Sequence, residues 1–231
     1  MNISRYSLLA VCLVGLSSTV YASTISQTGS LASPEDTYQL QFNVGSTSTI
    51  TLQTWGFGGG VNAAGNTIPA GGFDPFISFF DASGNIVDIG GDPNNPAGTS
   101  DTVSNYSSFM GCPPAGTVAF SNGDNVCGDI TMSFQLAAGN YSLVLSDADY
   151  QPFAVYDNGN LSEGFIDFTG GVFQTCDINS AGATACITPD ANWAFDLSGV
   201  TQAPVPEPST LVLVVSGLGL CLSRFRAFRN S

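Results

Sequence analysis

The chain reads as all-β, a single β-sandwich of jelly-roll-like kind flanked by a short apolar helix at each terminus. Three observations predict this. Apolar and polar residues alternate without a break through Tyr38-Gln39-Leu40-Gln41-Phe42-Asn43-Val44, the period of a half-buried strand. The composition favours strands and turns, with 27 Gly and 16 Phe and with Lys absent. Between Ser23 and Gln202 no stretch shows helical periodicity.

The elements follow in order. After the turn at Gly45-Ser46, the alternation continues through Thr49-Ile50-Thr51-Leu52-Gln53. Phe76–Phe80 is apolar on nearly every position, as in a strand covered on both faces. Asp81-Ala82-Ser83-Gly84-Asn85 then turns the chain into a strand at Ile86–Ile89. Thr131–Leu136 and Tyr141–Leu145 flank Ala137-Ala138-Gly139-Asn140, which predicts a tight hairpin. Gly164–Phe168 and Trp193–Leu197 complete the strands. Gly56–Gly72 and Gly90–Gly128 resist strand assignment and read as long loops, a length that in compact domains goes with function.

The two ends carry different patterns. Arg5 precedes the apolar run Leu8–Leu16, and Val20-Tyr21-Ala22 is a small-residue cleavage site, so residues 1–22 read as a signal peptide cut between Ala22 and Ser23. At the other end, residues 204–231 hold Val205-Pro206-Glu207-Pro208-Ser209, an apolar helix over 209–222, and then Arg224, Arg226 and Arg229. Pro206 and Pro208 bar helix entry from upstream. From Ser209 to Leu222 a helix covers about 21 Å at about 1.5 Å per residue, short of a hydrocarbon core of roughly 30 Å. The arginines suit a cytoplasmic end, so this helix reads as a marginal membrane anchor. Residues 23–203 are the sandwich domain between the two signals.

Charge restricts function further. The four basic residues are Arg5, Arg224, Arg226 and Arg229, and there is no His. The 18 acidic residues fall between Glu35 and Glu207. The domain therefore has no cationic side chain to contact phosphate, which excludes nucleic acid as a ligand. Without His or Lys there is no base for a serine or cysteine nucleophile of the usual kinds, so only carboxylate chemistry remains for catalysis. No catalytic residue is assigned. Every carboxylate must be solvated, hydrogen-bonded or neutralised by a bound cation. Asp74, Asp81, Asp88, Asp92, Asp147, Asp149 and Asp157 cluster at predicted strand ends and form a candidate calcium site, since hard cations take six to eight oxygen ligands. The competing reading is that each Asp caps its own turn, as Asp81 before Gly84-Asn85 does. Trp55 and Trp193 read as core residues, with a sugar-stacking platform as the alternative for Trp55.

Cys112, Cys127, Cys176 and Cys186 lie in the exported part, and an even count there reads as two disulfides. Three pairings are open. The local one, Cys112–Cys127 with Cys176–Cys186, is expected because each closes a single loop, with about 3 kcal/mol available for a loop of about 15 residues.

The Pro-Glu-Pro motif, apolar helix and arginines together resemble the PEP-CTERM sorting signal of exported bacterial proteins. The resemblance implies recognition and removal of the tail by an exosortase-type membrane protease. A second resemblance rests on Thr54-Trp55, Gly58-Gly59-Gly60-Val61-Asn62-Ala63-Ala64-Gly65, Gly71-Gly72-Phe73-Asp74-Pro75, Phe80–Asn85, Leu136–Leu143 and Leu161–Phe165. These segments are similar to a family of exported bacterial β-sandwich domains that often carry PEP-CTERM tails, and more distantly to the pre-peptidase C-terminal domain. That family implies fold and location but no activity. Where its members carry paired Asp, this chain has Gly90-Gly91-Asp92-Pro93. The expected role is a non-enzymatic surface or matrix protein associated with exopolysaccharide. The alternatives are a carbohydrate-binding module and a carboxylate-based glycan hydrolase. Before processing, the tail helix joins the protein to the inner membrane; afterwards the domain belongs at the cell surface or outside it.

Overall fold

The structure, a computed structural model, describes residues 23–87, 89 and 115–202. Residues 1–22, expected to be a signal peptide, the tail from 203 onward, Asp88, Asp92 and Cys112 lie outside the described residues. In chain order the strands are β1 (Ser23–Ser30), β2 (Tyr38–Val44), β3 (Ser48–Thr54), β4 (Gly60–Val61), β5 (Thr67–Ile68), β6 (Pro75–Asp81), β7 (Val118–Ala119), β8 (Asn125–Val126), β9 (Thr131–Leu136), β10 (Gly139–Asp147) and β11 (Tyr150–Pro152). A one-turn helix α1 (Ala154–Asp157) and a 3-10 turn at Leu161–Glu163 follow. Then come β12 (Phe165–Asp167), β13 (Thr175–Ile178), β14 (Thr184–Ile187) and β15 (Asn192–Gln202).

Seven strands form one curled antiparallel sheet in the order β6-β10-β2-β15-β3-β9, with β1 also paired to β15. Alternation decides which side chains face inward. In β2 the residues Leu40, Phe42 and Val44 are buried, and Ile50 and Leu52 of β3 and Phe195 and Leu197 of β15 meet them in one core. Phe79 stands edge-on to Phe42 at 6.1 Å, and Trp193 stacks on Phe195 at 5.8 Å.

β15 makes the curl possible. It pairs with β3 only through Ser198 and then lies beside β2. Between the two, its register with β1 slips at Ser23/Ile25, and Gly199 sits at φ +82°. A Cβ on Gly199 would stand 2.2 Å from the Thr49 carbonyl oxygen, so the bulge that bends the strand requires glycine here.

Two expectations are corrected. Ala137–Asn140 is not a hairpin: β9 pairs with β3, whereas β10 pairs with β2 and β6. The segment is an arch between opposite sides of the curled sheet, and an arch shows the same flanking alternation as a hairpin. Ile86–Ile89 is not a strand of its own. Ile86 makes one bridge to Phe80, and the Val87 amide donates to the Phe79 carbonyl at 2.9 Å. Phe76–Phe80 is buried on both faces as expected, because Phe80 and Val144 pack outward against Ala154, Leu161 and Phe165.

The sheet has two distinct ends. Ser23 lies opposite Val200, and the Thr201 hydroxyl donates to the Asn43 carbonyl, so the first and last strands start and finish at the same end. At the other end lie Thr54 opposite Phe195, Tyr38 opposite Leu145 and Pro75 opposite Asp147. A strand of seven residues separates Asp74 at this second end from Asp81 at the first.

Candidate functional site

Carboxylates gather at the second end. Asp74 enters β6, Asp147 closes β10, Asp149 follows it, and Asp129 enters β9. The Asp74 carbonyl accepts from the Ala148 amide at 2.9 Å, which joins the two chain segments. Asp129 and Asp147 are buried, at 6% and 4% exposure. Asp149 is exposed, and Glu35 is half-buried nearby.

Their electrostatics are those of like charges crowded together, with no cationic side chain anywhere in residues 23–203. Burial, followed by the charges of Asp147, Asp129 and Asp149, pushes the Asp74 carboxyl well above its ordinary value. Asp147 is pushed up to about 6, chiefly by burial, with Asp149 and Glu35 adding to the shift and the Asp149 amide opposing it. Burial raises Asp129 as well, against the pull of its hydrogen bonds, and raises Asp149.

Much of this acidic machinery is committed to holding backbone. One oxygen of Asp129 accepts from the Thr54 hydroxyl at 2.8 Å and the Phe57 amide at 3.3 Å, and the other accepts from the Gly58 amide at 2.6 Å. Asp147 accepts from the Asp149 amide at 2.8 Å. On the outer side of β15, Asp196 accepts from the Trp55 indole at 2.7 Å, the Ala63 amide at 2.8 Å and the Ser26 hydroxyl at 2.5 Å. The Gly-rich loop after Trp55 is therefore tied down at both edges by buried aspartates, Asp129 on one side and Asp196 on the other.

The candidate calcium residues separate on this frame. Asp74, Asp147 and Asp149 come together. Asp81 lies at the opposite end and caps its own turn, accepting from the Ser83 amide at 2.8 Å and the Asn85 amide at 2.9 Å, and these bonds hold its carboxyl below the usual value. Asp157 belongs to α1 on the outer face. Asp88 and Asp92 lie outside the described residues. Among the described residues no group of three or more His, Cys, Asp and Glu is disposed to hold a metal ion. Calcium chloride is expected to raise the melting temperature more than sodium chloride at matched ionic strength if carboxylates hold the ion, and equally if screening acts alone.

No protein-family model and no curated protein matches this chain. Geometry is therefore the guide to function.

Both tryptophans are buried, Trp55 at 8% and Trp193 at 6% exposure, and Trp55 covers Ala194 beneath the Gly-rich loop. Among the described residues, the aromatic side chains open to solvent are Phe153, Tyr156 and Phe168, at 43%, 50% and 62% exposure. All three belong to the segment that crosses the outer face of β6 and β10. The β11–β12 hairpin fixes it, with Pro152 opposite Phe165 and Tyr150 stacked on Phe165 at 4.8 Å. The Tyr156 hydroxyl donates to Gln151.

Sequence reasoning missed Asp129 and Glu35. Asp129 stands immediately before the apolar start of a strand, as Asp74 does, and that shared position is the signal that could have found it. Of the disulfides, Cys176–Cys186 is formed, as the local pairing requires. Cys127 is also disulfide-bonded, while Cys112 lies outside the described residues. Among the described residues no helix is long and apolar enough to cross a membrane; residues 209–222, where a tail helix is expected, are not among them.

Proposed function

We propose that this chain is an exported, non-enzymatic surface or matrix protein associated with exopolysaccharide, built on a jelly-roll-type sandwich and sorted through its C-terminal tail by an exosortase-type protease. The observation that carries the reading is the commitment of the buried carboxylates. Asp129 and Asp196 spend their oxygens on loop amides and side-chain donors, a structural use of charge. The formed Cys176–Cys186 bond is compatible with an oxidising compartment. In the unprocessed chain the basic residues are confined to the two terminal signals, as membrane sorting demands.

Intact-mass measurement on the protein from its native host tests the sorting. A mature species beginning at Ser23 and ending near Pro206–Pro208 is expected. A membrane-bound species retaining Arg224–Ser231 would defeat that part of the proposal.

The exposed aromatics favour carbohydrate binding as a second reading, since aromatic faces stack on sugar rings. Retention in polysaccharide-containing gels should then fall in Phe168→Ala and Tyr156→Ala. Trp55→Ala should act only through stability, because its ring is buried. Unchanged migration of both exposed-aromatic variants would remove this reading.

A further inference from the structure

We infer that the Cys176–Cys186 disulfide is a thiol-accessible latch, whose reduction opens the β13–β14 hairpin locally and uncovers the apolar surface around Phe57 and Phe120 while the main core stays folded. Four features of the chain carry this.

The bond is accessible. Cys176 lies directly opposite Cys186, with 4.1 Å between their Cα atoms, and both residues are exposed. They share the outward face of the hairpin with Ile178, which is 68% exposed. Thiol–disulfide exchange requires an attacking thiolate to reach a sulfur, and this face permits it.

The hairpin depends on the bond. β13 and β14 pair over four residues each and, among the described residues, join no larger sheet. A lone two-stranded hairpin is marginal in water, so the covalent link contributes much of what keeps these strands together.

The hairpin covers something. Its inward side chain Ala185 packs on Phe57 and Phe120, with Val118, Val126 and Ile187 around them. Phe57 and Phe120 are 0% and 5% exposed. Asn122 donates to the Asp177 carboxylate at 2.6 Å, and Asn179 donates to the Asn122 carbonyl at 2.9 Å, clasping the β13–β14 and β7–β8 hairpins together. An open hairpin releases both bonds and exposes both rings.

The main core does not depend on the hairpin. The large cluster built on Phe42, Phe79, Leu143 and Phe195 contains no residue between 174 and 188. Opening is therefore a local event of low free energy.

The reductant is an external dithiol. Its thiolate attacks one sulfur and forms a mixed disulfide; its second thiolate then displaces the protein sulfur. Two electrons and two protons pass to the cysteine pair, leaving two protein thiols and an oxidised dithiol.

The test treats the oxidised full chain with dithiothreitol at neutral pH without denaturant, followed by alkylation and peptide mapping. Cys176 and Cys186 are expected to be alkylated at a rate within about tenfold of that in the guanidinium-unfolded chain. Fluorescence of an apolar-surface dye should rise in step and fall on reoxidation, with the far-ultraviolet circular dichroism of the sheet retained. A C176S/C186S double variant should give the raised dye signal without reductant, which separates this bond from that of Cys127. Reduction that requires denaturant, reduction without a gain in dye binding, or a double variant that fails to fold would each overturn the inference.

Discussion

Asp129→Ala is expected to lower stability by about 3–5 kcal/mol, because it removes the carboxylate that several buried donors share. The Phe57 and Gly58 amides lose their carboxylate, and the Thr54 hydroxyl loses the acceptor that orients it while its oxygen receives the Ile130 amide at 2.7 Å. Phe57 is fully buried, so its segment cannot swing out to find water without emptying the pocket it fills. Asp129→Asn should recover part of the loss, since one oxygen remains but its amide group would face a backbone donor. Guanidinium unfolding of the three proteins checks this. A loss below about 1 kcal/mol for Asp129→Ala would mean that solvent reaches these amides in place of the carboxylate.

The domain is expected to become more stable as pH falls from 7 to about 4, opposite to ordinary acid denaturation. Asp74, Asp129, Asp147 and Asp149 are all held above their ordinary values in the folded chain, Asp74 well above and Asp147 at about 6 against 3.8. The native state binds the proton more tightly than the unfolded state. The stabilising effect of protonation is therefore complete below about 3.8 and is lost as pH rises through about 6. A full shift of this size for Asp147 corresponds to about 3 kcal/mol, and screening near the surface reduces the expected gain to about 1–2 kcal/mol. Asp81 has the opposite sign: its lowered carboxyl contributes stability above 3.8 that is lost at lower pH, so the optimum should fall near pH 4. No salt bridge within 23–203 opposes the trend, because no basic side chain exists there. Melting temperatures at constant ionic strength between pH 4 and 7.5 test it. Asp147→Asn should raise stability at pH 7 and flatten the profile. A melting temperature that falls steadily below pH 6 would refute the trend.

What the sequence revealed depended on how much of each element faces the core. β2, β3 and β9 were legible because their alternation is the burial pattern itself, as in Leu40, Phe42 and Val44. β1 was not, because an edge strand needs little apolar anchorage and only Ile25 of its eight residues is buried. α1 and the two-residue strands are shorter than any period that could announce them. At the acidic end, Asp74, Asp147 and Asp149 were visible as aspartates at strand ends. Periodicity does not say which end, so Asp81 was grouped with Asp74 although a strand's length of about 23 Å separates them at about 3.3 Å per residue. Strand partnership was hidden too. The alternation around Ala137–Asn140 is equally compatible with a hairpin and with the arch that forms.

The position of β15 sets when this domain can fold. It is the last of the described strands, yet it lies between β2 and β3 and also carries β1. β1, β2 and β3, the strands synthesised first, share one neighbour that is still to come. Leu197 opposite Ile25 is a contact across nearly the whole domain, a separation that makes for high contact order and slow folding. Until Asn192–Gln202 appears, β2 can pair only with β10 and β3 only with β9, and the two halves of the sheet stay unjoined.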